Sequence, residues 1–217
     1  MTQDTAKKAV GTEAAKLIQA GMIVGLGSGS TAEFFIEALA ASKLPIKAVS
    51  SSHRSADLAQ SKGIPILDLN EVSHIDITVD GADEIDPKKR MIKGGGGAHV
   101  REKILAAASR EMVVIVDETK LVSQLGKAKL PVEVLPYGSS MTQRKIEVLS
   151  YKGAFRKNFL TDNGNLIFDI QLPSPTSQPE KVHEQLIQIP GVVDTGFFFH
   201  LAGRVLIGHA NGTVKTL

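Results

Sequence analysis

Three segments of the chain bring together residue types that do chemistry. The first is Gly25-Leu-Gly-Ser-Gly-Ser-Thr31, set between a short apolar run and a helix-like stretch. Glycines let the backbone turn tightly, and a helix start presents N–H groups to an anion. Ser28, Ser30 and Thr31 add hydroxyl donors around Gly29, so a phosphate suits this loop. Gly27, Gly29 and Ala32 also satisfy G-x-G-x-x-A, the dinucleotide fingerprint, which requires an acid for the ribose about 20 residues on. The corresponding stretch reads Ser50-Ser-Ser-His-Arg54 and has no acid. That disfavours NAD and leaves NADP through Arg54 as a weaker reading. A tight turn with no ligand is the plain alternative.

The second segment is Asp80-Gly81-Ala82-Asp83-Glu84-Ile-Asp86, directly after the apolar run Ile75–Val79. In an open parallel sheet, ligands bind beyond the carboxyl ends of the strands. Four acids there could offer oxygen ligands to Mg²⁺ or Ca²⁺, although the spacing does not match a calcium-binding EF-hand loop. A solvated acidic turn is the alternative, more so for Glu84 and Asp86 than for Asp80 and Asp83. The third segment is Lys93-Gly94-Gly95-Gly96-Gly97-Ala-His-Val-Arg-Glu102-Lys103. Four consecutive glycines are costly to order, and a chain tolerates them where backbone must approach a ligand closely. Glu102 falls in the first turns of the helix that follows, either as a carboxylate favoured by the helix dipole or as a general base. Lys120, after the run ending at Asp117, is placed to reach the same sheet edge. The six histidines show no metal-ligand spacing, and neither a Walker A sequence nor a G-x-S-x-G elbow is present.

The elements that must carry these segments alternate between strand and helix. Helices are expected over 2–20, with Thr2 as cap, and over 31–41, 55–62 and 98–109. Strands are expected over 22–26, 46–50, 64–67, 75–79 and 112–116. This rhythm indicates an α/β domain with a mostly parallel, Rossmann-like sheet. From Lys129 the order becomes β-α-β-β-α-β. The strands read as 132–135, 154–160, 166–170 and 192–199, the helices as 141–149 and 180–189, and Asp162-Asn-Gly164 as a hairpin turn. That order is the ferredoxin-like α+β unit. A last strand over 205–208 rejoins the first domain. The expected division is therefore 1–128 plus 204–217 for the Rossmann-like domain and 129–203 for a smaller βαββαβ domain inserted near the C-terminus.

The 217 residues hold 25 Lys plus Arg against 23 Asp plus Glu, no Cys and no Trp. A net charge of +2 and 5% aromatics offer little to nucleic acid. The absence of Cys excludes a disulfide framework, a thiolate metal site and a Cys nucleophile. No apolar stretch approaches the roughly 20 residues a membrane helix needs, and the N-terminus has no apolar signal core. A cytoplasmic protein is expected, with no nucleic-acid or membrane partner.

Taken together and in this order, the three segments resemble the A type of ribose-5-phosphate isomerase. Leu130-Pro-Val-Glu-Val, Thr161-Asp-Asn-Gly-Asn and Ile189-Pro-Gly-Val-Val extend the resemblance through the C-terminal part. It implies an aldose–ketose isomerase that interconverts D-ribose 5-phosphate and D-ribulose 5-phosphate in the pentose phosphate pathway. It further implies no metal or other cofactor, and a homodimer or dimer of dimers. The family's general base falls on Glu102, with Asp80, Asp83 and Lys93 completing the catalytic set. Its sugar-phosphate contacts fall on Lys7, Ser28, Gly29, Ser30, Thr31, Asp80, Gly81, Ala82, Asp83, Lys93, Gly94, Gly95, Gly96 and Lys120. Two departures stand out. Ser28 replaces a usual Thr and keeps its hydroxyl, whereas His99 replaces a usual Leu and could change packing near Glu102 or add a titrating neighbour.

The set makes chemical sense. One carboxylate can move a proton between adjacent carbons across one face of a cis-enediolate. Lys93 and glycine N–H groups can stabilise the oxyanion, Asp80 can relay protons between substrate oxygens, and Asp83 can orient Lys93 or a substrate hydroxyl. Binding energy from the remote phosphate positions the reacting carbons. The rival readings are another sugar-phosphate isomerase or an amino-sugar phosphate deaminase of the same architecture, an NADP oxidoreductase, and a non-catalytic sugar-phosphate-sensing module.

Overall fold

A computed structural model describes residues 3–217. In chain order the elements begin with α1 (Gln3–Ala15), β1 (Ile23–Leu26), α2 (Ser30–Ala41), β2 (Lys47–Ser50) and α3 (His53–Ser61). There follow β3 (Ile77–Asp80), β4 (Glu84–Ile85), β5 (Met91–Ile92), α4 (His99–Ala107) and β6 (Met112–Asp117). The remainder comprises β7 (Leu130–Val134), α5 (Ser139–Val148), β8 (Lys152–Phe155), β9 (Leu166–Gln171), α6 (Pro179–Ile187), β10 (Val192–Thr195), β11 (Phe197–Phe198), β12 (Ala202–Gly208) and β13 (Val214–Thr216). The chain divides into two compact units, one of residues 3–82, 101–120 and 201–217, the other of 83–100 and 121–200.

The first unit is built on a six-stranded sheet in the order β13-β12-β6-β3-β1-β2. Neighbours from β2 to β12 run parallel, and β13 closes one edge antiparallel. β3 and β6 are buried along their whole length, which is why their sequences read as unbroken apolar runs rather than alternating ones. Val10 and Ala14 of α1 and Phe35, Ile36 and Leu39 of α2 pack with Val24, Leu26, Val79 and Ile115 of the sheet. Chain order reverses between β1 and β3: β1 leads outward to β2, while β3 leads the other way toward β6. The loops after β1 and β3 therefore flank the switch point where open α/β sheets bind ligands.

The second unit contains an antiparallel sheet in the order β10-β7-β9-β8. With α5 and α6 it realises the expected β-α-β-β-α-β order around a core that includes Val132, Ile146, Phe168 and Leu186. It also holds a three-stranded sheet in the order β11-β5-β4.

The second compact unit, 83–100 and 121–200, takes in most of the domain expected over 129–203. It also takes residues 83–100 and 121–128 because β5 pairs with β4 on one side and with β11 on the other. The single strand expected over 192–199 breaks at Gly196, whose N–H donates to Pro131 O (2.7 Å) and whose carbonyl accepts from Lys93 N (2.8 Å). The strand expected over 64–67 is only one bridge between Ala48 and Ile66; Pro65 has no N–H to extend it. The first helix ends at Ala15 rather than residue 20, because Lys16, Leu17 and Ile18 bond back three residues instead of four. The cap expected at Thr2 lies outside the described residues.

Candidate active site

In the first unit the predicted residues gather at the carboxyl edge of the sheet. Asp80 ends β3, and its Oδ1 accepts from Ser28 N (3.0 Å) and Gly81 N (2.8 Å). Gly27 allows this approach, because a Cβ there would lie 2.0 Å from Asp80 Oδ1. Gly29 is the N-cap of α2 and gives the helix no side-chain cap. The first-turn N–H groups, with the Ser30 and Thr31 side chains beside them, form an anion-binding arrangement. Lys7 on α1 donates to Ser30 Oγ (3.0 Å), which places an ammonium beside that helix start.

Serines that the sequence reading passed over hold this loop. Ser28 Oγ lies 2.9 Å from Ser51 Oγ and donates to Ser52 Oγ (2.8 Å), while Ser55 Oγ donates to Gly27 O (2.8 Å). Where a dinucleotide site needs a ribose-binding acid, this chain has hydroxyls that brace the loop from behind. Arg54, the residue on which NADP would depend, is paired with Glu33 at 2.7 Å.

Glu102 is buried in the first turn of α4. The C-terminal end of α4 is fixed near the amino end of the sheet, since Ser109 bridges to Ile75 and donates to Leu105 O. The nine-residue helix spans about 13 Å at 1.5 Å per residue. That rise carries Glu102 toward the carboxyl edge. Lys120 closes the turn after β6. This turn is fixed by Asp117, which accepts from Gln3 Nε2 (3.1 Å), Thr119 N (3.0 Å) and the Thr119 hydroxyl. Burial alone would raise the Asp117 carboxyl, but the hydrogen bonds from Thr119 and Gln3 and the nearby Lys120 charge outweigh it and hold it below its ordinary value. Next to it, a hydrogen bond from His209 lowers Glu118.

In the second unit the glycine segment is a braced loop. Asp83 Oδ2 accepts from Gly95 N at 2.7 Å, so this acid orders the loop backbone. The positive φ of Gly94 (102°) requires glycine, and a Cβ there would meet His99 Nδ1 at 2.8 Å. His99 is fully buried beneath the loop, with Nε2 3.4 Å from Asp194 O, and acts as packing. Lys93 is buried, with its ammonium 5.4 Å from the centre of the Phe198 ring. Gly94 and Gly95 also receive hydrogen bonds from Arg156, a residue the sequence reading did not single out.

The acidic cluster is neither a solvated turn nor a shared ligand set. Glu84 is buried and accepts from Gly126 N (2.7 Å) and from Ala128 N. Asp86 is buried in an ion pair with Arg90 at 2.6 Å. Each acid is taken up by its own donors. Among the described residues no group of three or more His, Cys, Asp or Glu side chains could hold a metal ion, and no helix is long and apolar enough to cross a membrane.

An uncapped, hydroxyl-lined helix start at a switch point, with a carboxylate bonded into the same loop, defines an α/β protein with an arrangement suited to a small anionic ligand. Comparison with known proteins makes the assignment specific. Residues 47–212 match the family model of ribose 5-phosphate isomerase A (phosphoriboisomerase A). A ribose-5-phosphate isomerase A of Protochlamydia amoebophila is 48% identical, the alignment covering 97% of this chain and 94% of the relative. The crystal structure of ribose 5 phosphate isomerase A from Neisseria gonorrhoeae superposes with a TM-score of 0.94 at 39% identity, covering 100% of this chain and 97% of that one. A D-ribose-5-phosphate isomerase solved in complex with phospho-erythronic acid gives the same TM-score at 36% identity, covering 100% and 99%. The chain belongs to the ribose 5-phosphate isomerase A family, and it is an isomerase.

Proposed function

We propose that the protein interconverts D-ribose 5-phosphate and D-ribulose 5-phosphate through a cis-enediolate, in the non-oxidative branch of the pentose phosphate pathway. The observation that carries this reading is the Asp80–Ser28 bond, which joins the acid at the end of β3 to the hydroxyl-lined start of α2. A family relative solved with phospho-erythronic acid supports a phosphorylated ligand.

In this reading the phosphate is held by Ser28–Thr31, Lys7 and Lys120. Glu102 removes the C2 proton of the open-chain aldose and returns it to C1. As the proton leaves C2, its bonding electrons form the C1–C2 double bond and charge moves onto O1. Lys93 and the N–H groups of Gly94 and Gly96 stabilise that charge, with Gly95 held beside them by Asp83. Asp80 carries a proton from O2 to O1, so no charge remains on the reacting oxygens of the ketose phosphate. Asp83 acts on the loop, through its bond to Gly95 N. Gly81 and Ala82 carry the chain from Asp80 to Asp83. No redox cofactor or metal takes part, and the working form is a cytoplasmic homodimer or dimer of dimers.

The test is incubation of the purified protein with D-ribose 5-phosphate, following ketose formation. Steady production of the ketose is expected, and it should survive exhaustive EDTA treatment. A protein that binds the sugar phosphate but forms no ketose would be the sensing module instead.

A further inference from the structure

We propose that Arg156 is a positioning residue for this reaction: it fixes two peptide groups of the Gly94–Gly96 loop so that a backbone N–H, rather than a carbonyl, is offered to the substrate oxyanion. The inference rests on the functional reading above.

Arg156 stands directly after β8, and its guanidinium is anchored on the antiparallel sheet. Nε donates to Asp169 Oδ2 and Nη2 to Asp169 Oδ1, both at 2.8 Å. Asp169 belongs to β9 and is paired in register with Ala154 of β8, so both members of the forked pair are tied to the sheet. Both side chains are only 18% exposed, which shields the pair from solvent. From this base the same guanidinium reaches Gly94 O through Nη2 and Gly95 O through Nη1, each at 3.0 Å. A planar fork of N–H donors is what holding a carboxylate and two carbonyls at once demands.

The consequence follows from peptide geometry. In a trans peptide the C=O and N–H point in opposite directions. The peptide joining Gly94 to Gly95 is held at both ends, its carbonyl by Arg156 and by Gly97 N (2.9 Å) and its N–H by Asp83 Oδ2. The peptide joining Gly95 to Gly96 has its carbonyl on Arg156, so the Gly96 N–H is turned away from the guanidinium. Glycine peptides have no Cβ to resist rotation. A flip would present carbonyl oxygen where the enediolate needs a donor, turning attraction into repulsion. Charged hydrogen bonds to both carbonyls oppose that flip. They also polarise the two peptides and strengthen the N–H donors at their far ends.

The experiment uses the full chain with Arg156→Ala and Arg156→Lys. Four quantities are measured: kcat and KM for ribose 5-phosphate, amide hydrogen exchange across residues 91–98, and exchange in β7 and β9. For Arg156→Ala we expect kcat to fall by about 10²-fold, the scale of a misplaced catalytic group, with KM moving far less. Gly95 and Gly97, whose N–H groups are bonded to Asp83 and to Gly94 O, should exchange faster while β7 and β9 keep their protection. Lysine should restore only part of kcat, because a point charge cannot replace the fork. Wild-type kcat in Arg156→Ala, full recovery with lysine, or unchanged exchange at Gly95 and Gly97 would overturn the proposal. If Arg156→Ala does not fold, Arg156→Lys carries both readouts. If the wild-type protein forms no ketose, the functional reading fails and hydrogen exchange alone decides whether Arg156 holds the loop.

Discussion

The carboxylate of Asp80 fills the space that a side chain on Gly27 would need. A Cβ on Gly27 would sit 2.0 Å from Asp80 Oδ1 and 2.4 Å from Asp80 Cβ. The two residues lie at the ends of adjacent parallel strands, so the glycine of the phosphate loop and the acid after β3 are one packing unit. Gly27→Ala should therefore cost about 1–3 kcal/mol, as overpacking does, and should push the Asp80 carboxylate off Ser28 N. Removing the obstructing side chain with Asp80→Gly should recover much of that stability in the double variant, without restoring turnover. A double-mutant cycle by urea unfolding measures the coupling; strictly additive losses would show that the two residues do not share this space.

Glu102→Gln separates chemistry from binding. The amide keeps the shape of a buried carboxyl group but cannot accept the C2 proton. Turnover should fall by about 10²–10⁴-fold, the usual contribution of a general base, while calorimetry still detects ribose 5-phosphate binding. Near-wild-type turnover would remove Glu102 from the mechanism.

How much of this was readable in the sequence depends on how local each relationship is. β6 shows in the sequence because Met112–Val116 is an unbroken apolar run buried on both faces. The Ser28–Thr31 loop shows because glycines and hydroxyls fall between a strand and a helix. β4 and β5 do not show, because each is two residues long and β5 is completed by Phe197 and Phe198, more than a hundred positions away. The acids were open to misreading for the same reason. Their residue types are visible, but the donors that explain Glu84 arrive from Gly126 and Ala128, 42 and 44 positions on. Arg156 lies 61 positions from the Gly95 carbonyl it holds. As a lone arginine after a short strand, it carries no local signature.

Acid should loosen the Lys120 turn. The Asp117 carboxyl titrates below its ordinary value of 3.8 in the folded protein. Its folded value lies below its unfolded value, so its stabilising effect is fully present above about pH 4. That effect is lost as pH falls through the lower folded value. Asp117→Asn cannot titrate, so its stability should depend less steeply on pH below 3.8 than that of the wild type. It should also raise KM for the sugar phosphate by freeing the turn that carries Lys120. Parallel pH–stability curves for the two proteins would show that Asp117 contributes nothing to the acid limb.

Glu133 should prove a stability residue of the second unit. It is fully buried on β7, and its Oε1 alone accepts from Thr161 Oγ1 (3.1 Å), Asn163 Nδ2 (2.9 Å) and Asn165 Nδ2 (2.8 Å). These bonds tie the hairpin turn between β8 and β9 to β7, an inner strand of the sheet. Asn163 is exposed and can turn to water, but Thr161 and Asn165 are buried. Glu133→Ala strands those two donors, at about 1–3 kcal/mol each. Glu133→Gln keeps a carbonyl acceptor at the same reach, and should lose much less. Arg156 and the turn lie on one continuous stretch of chain, so Glu133→Ala should also slow turnover at temperatures where the protein remains folded, while Glu133→Gln does not. Denaturant unfolding of both variants, with kcat measured well below the melting temperature, provides the check. Equal stabilities for Ala and Gln would mean that the hydrogen bonds to Oε1 do not hold the hairpin.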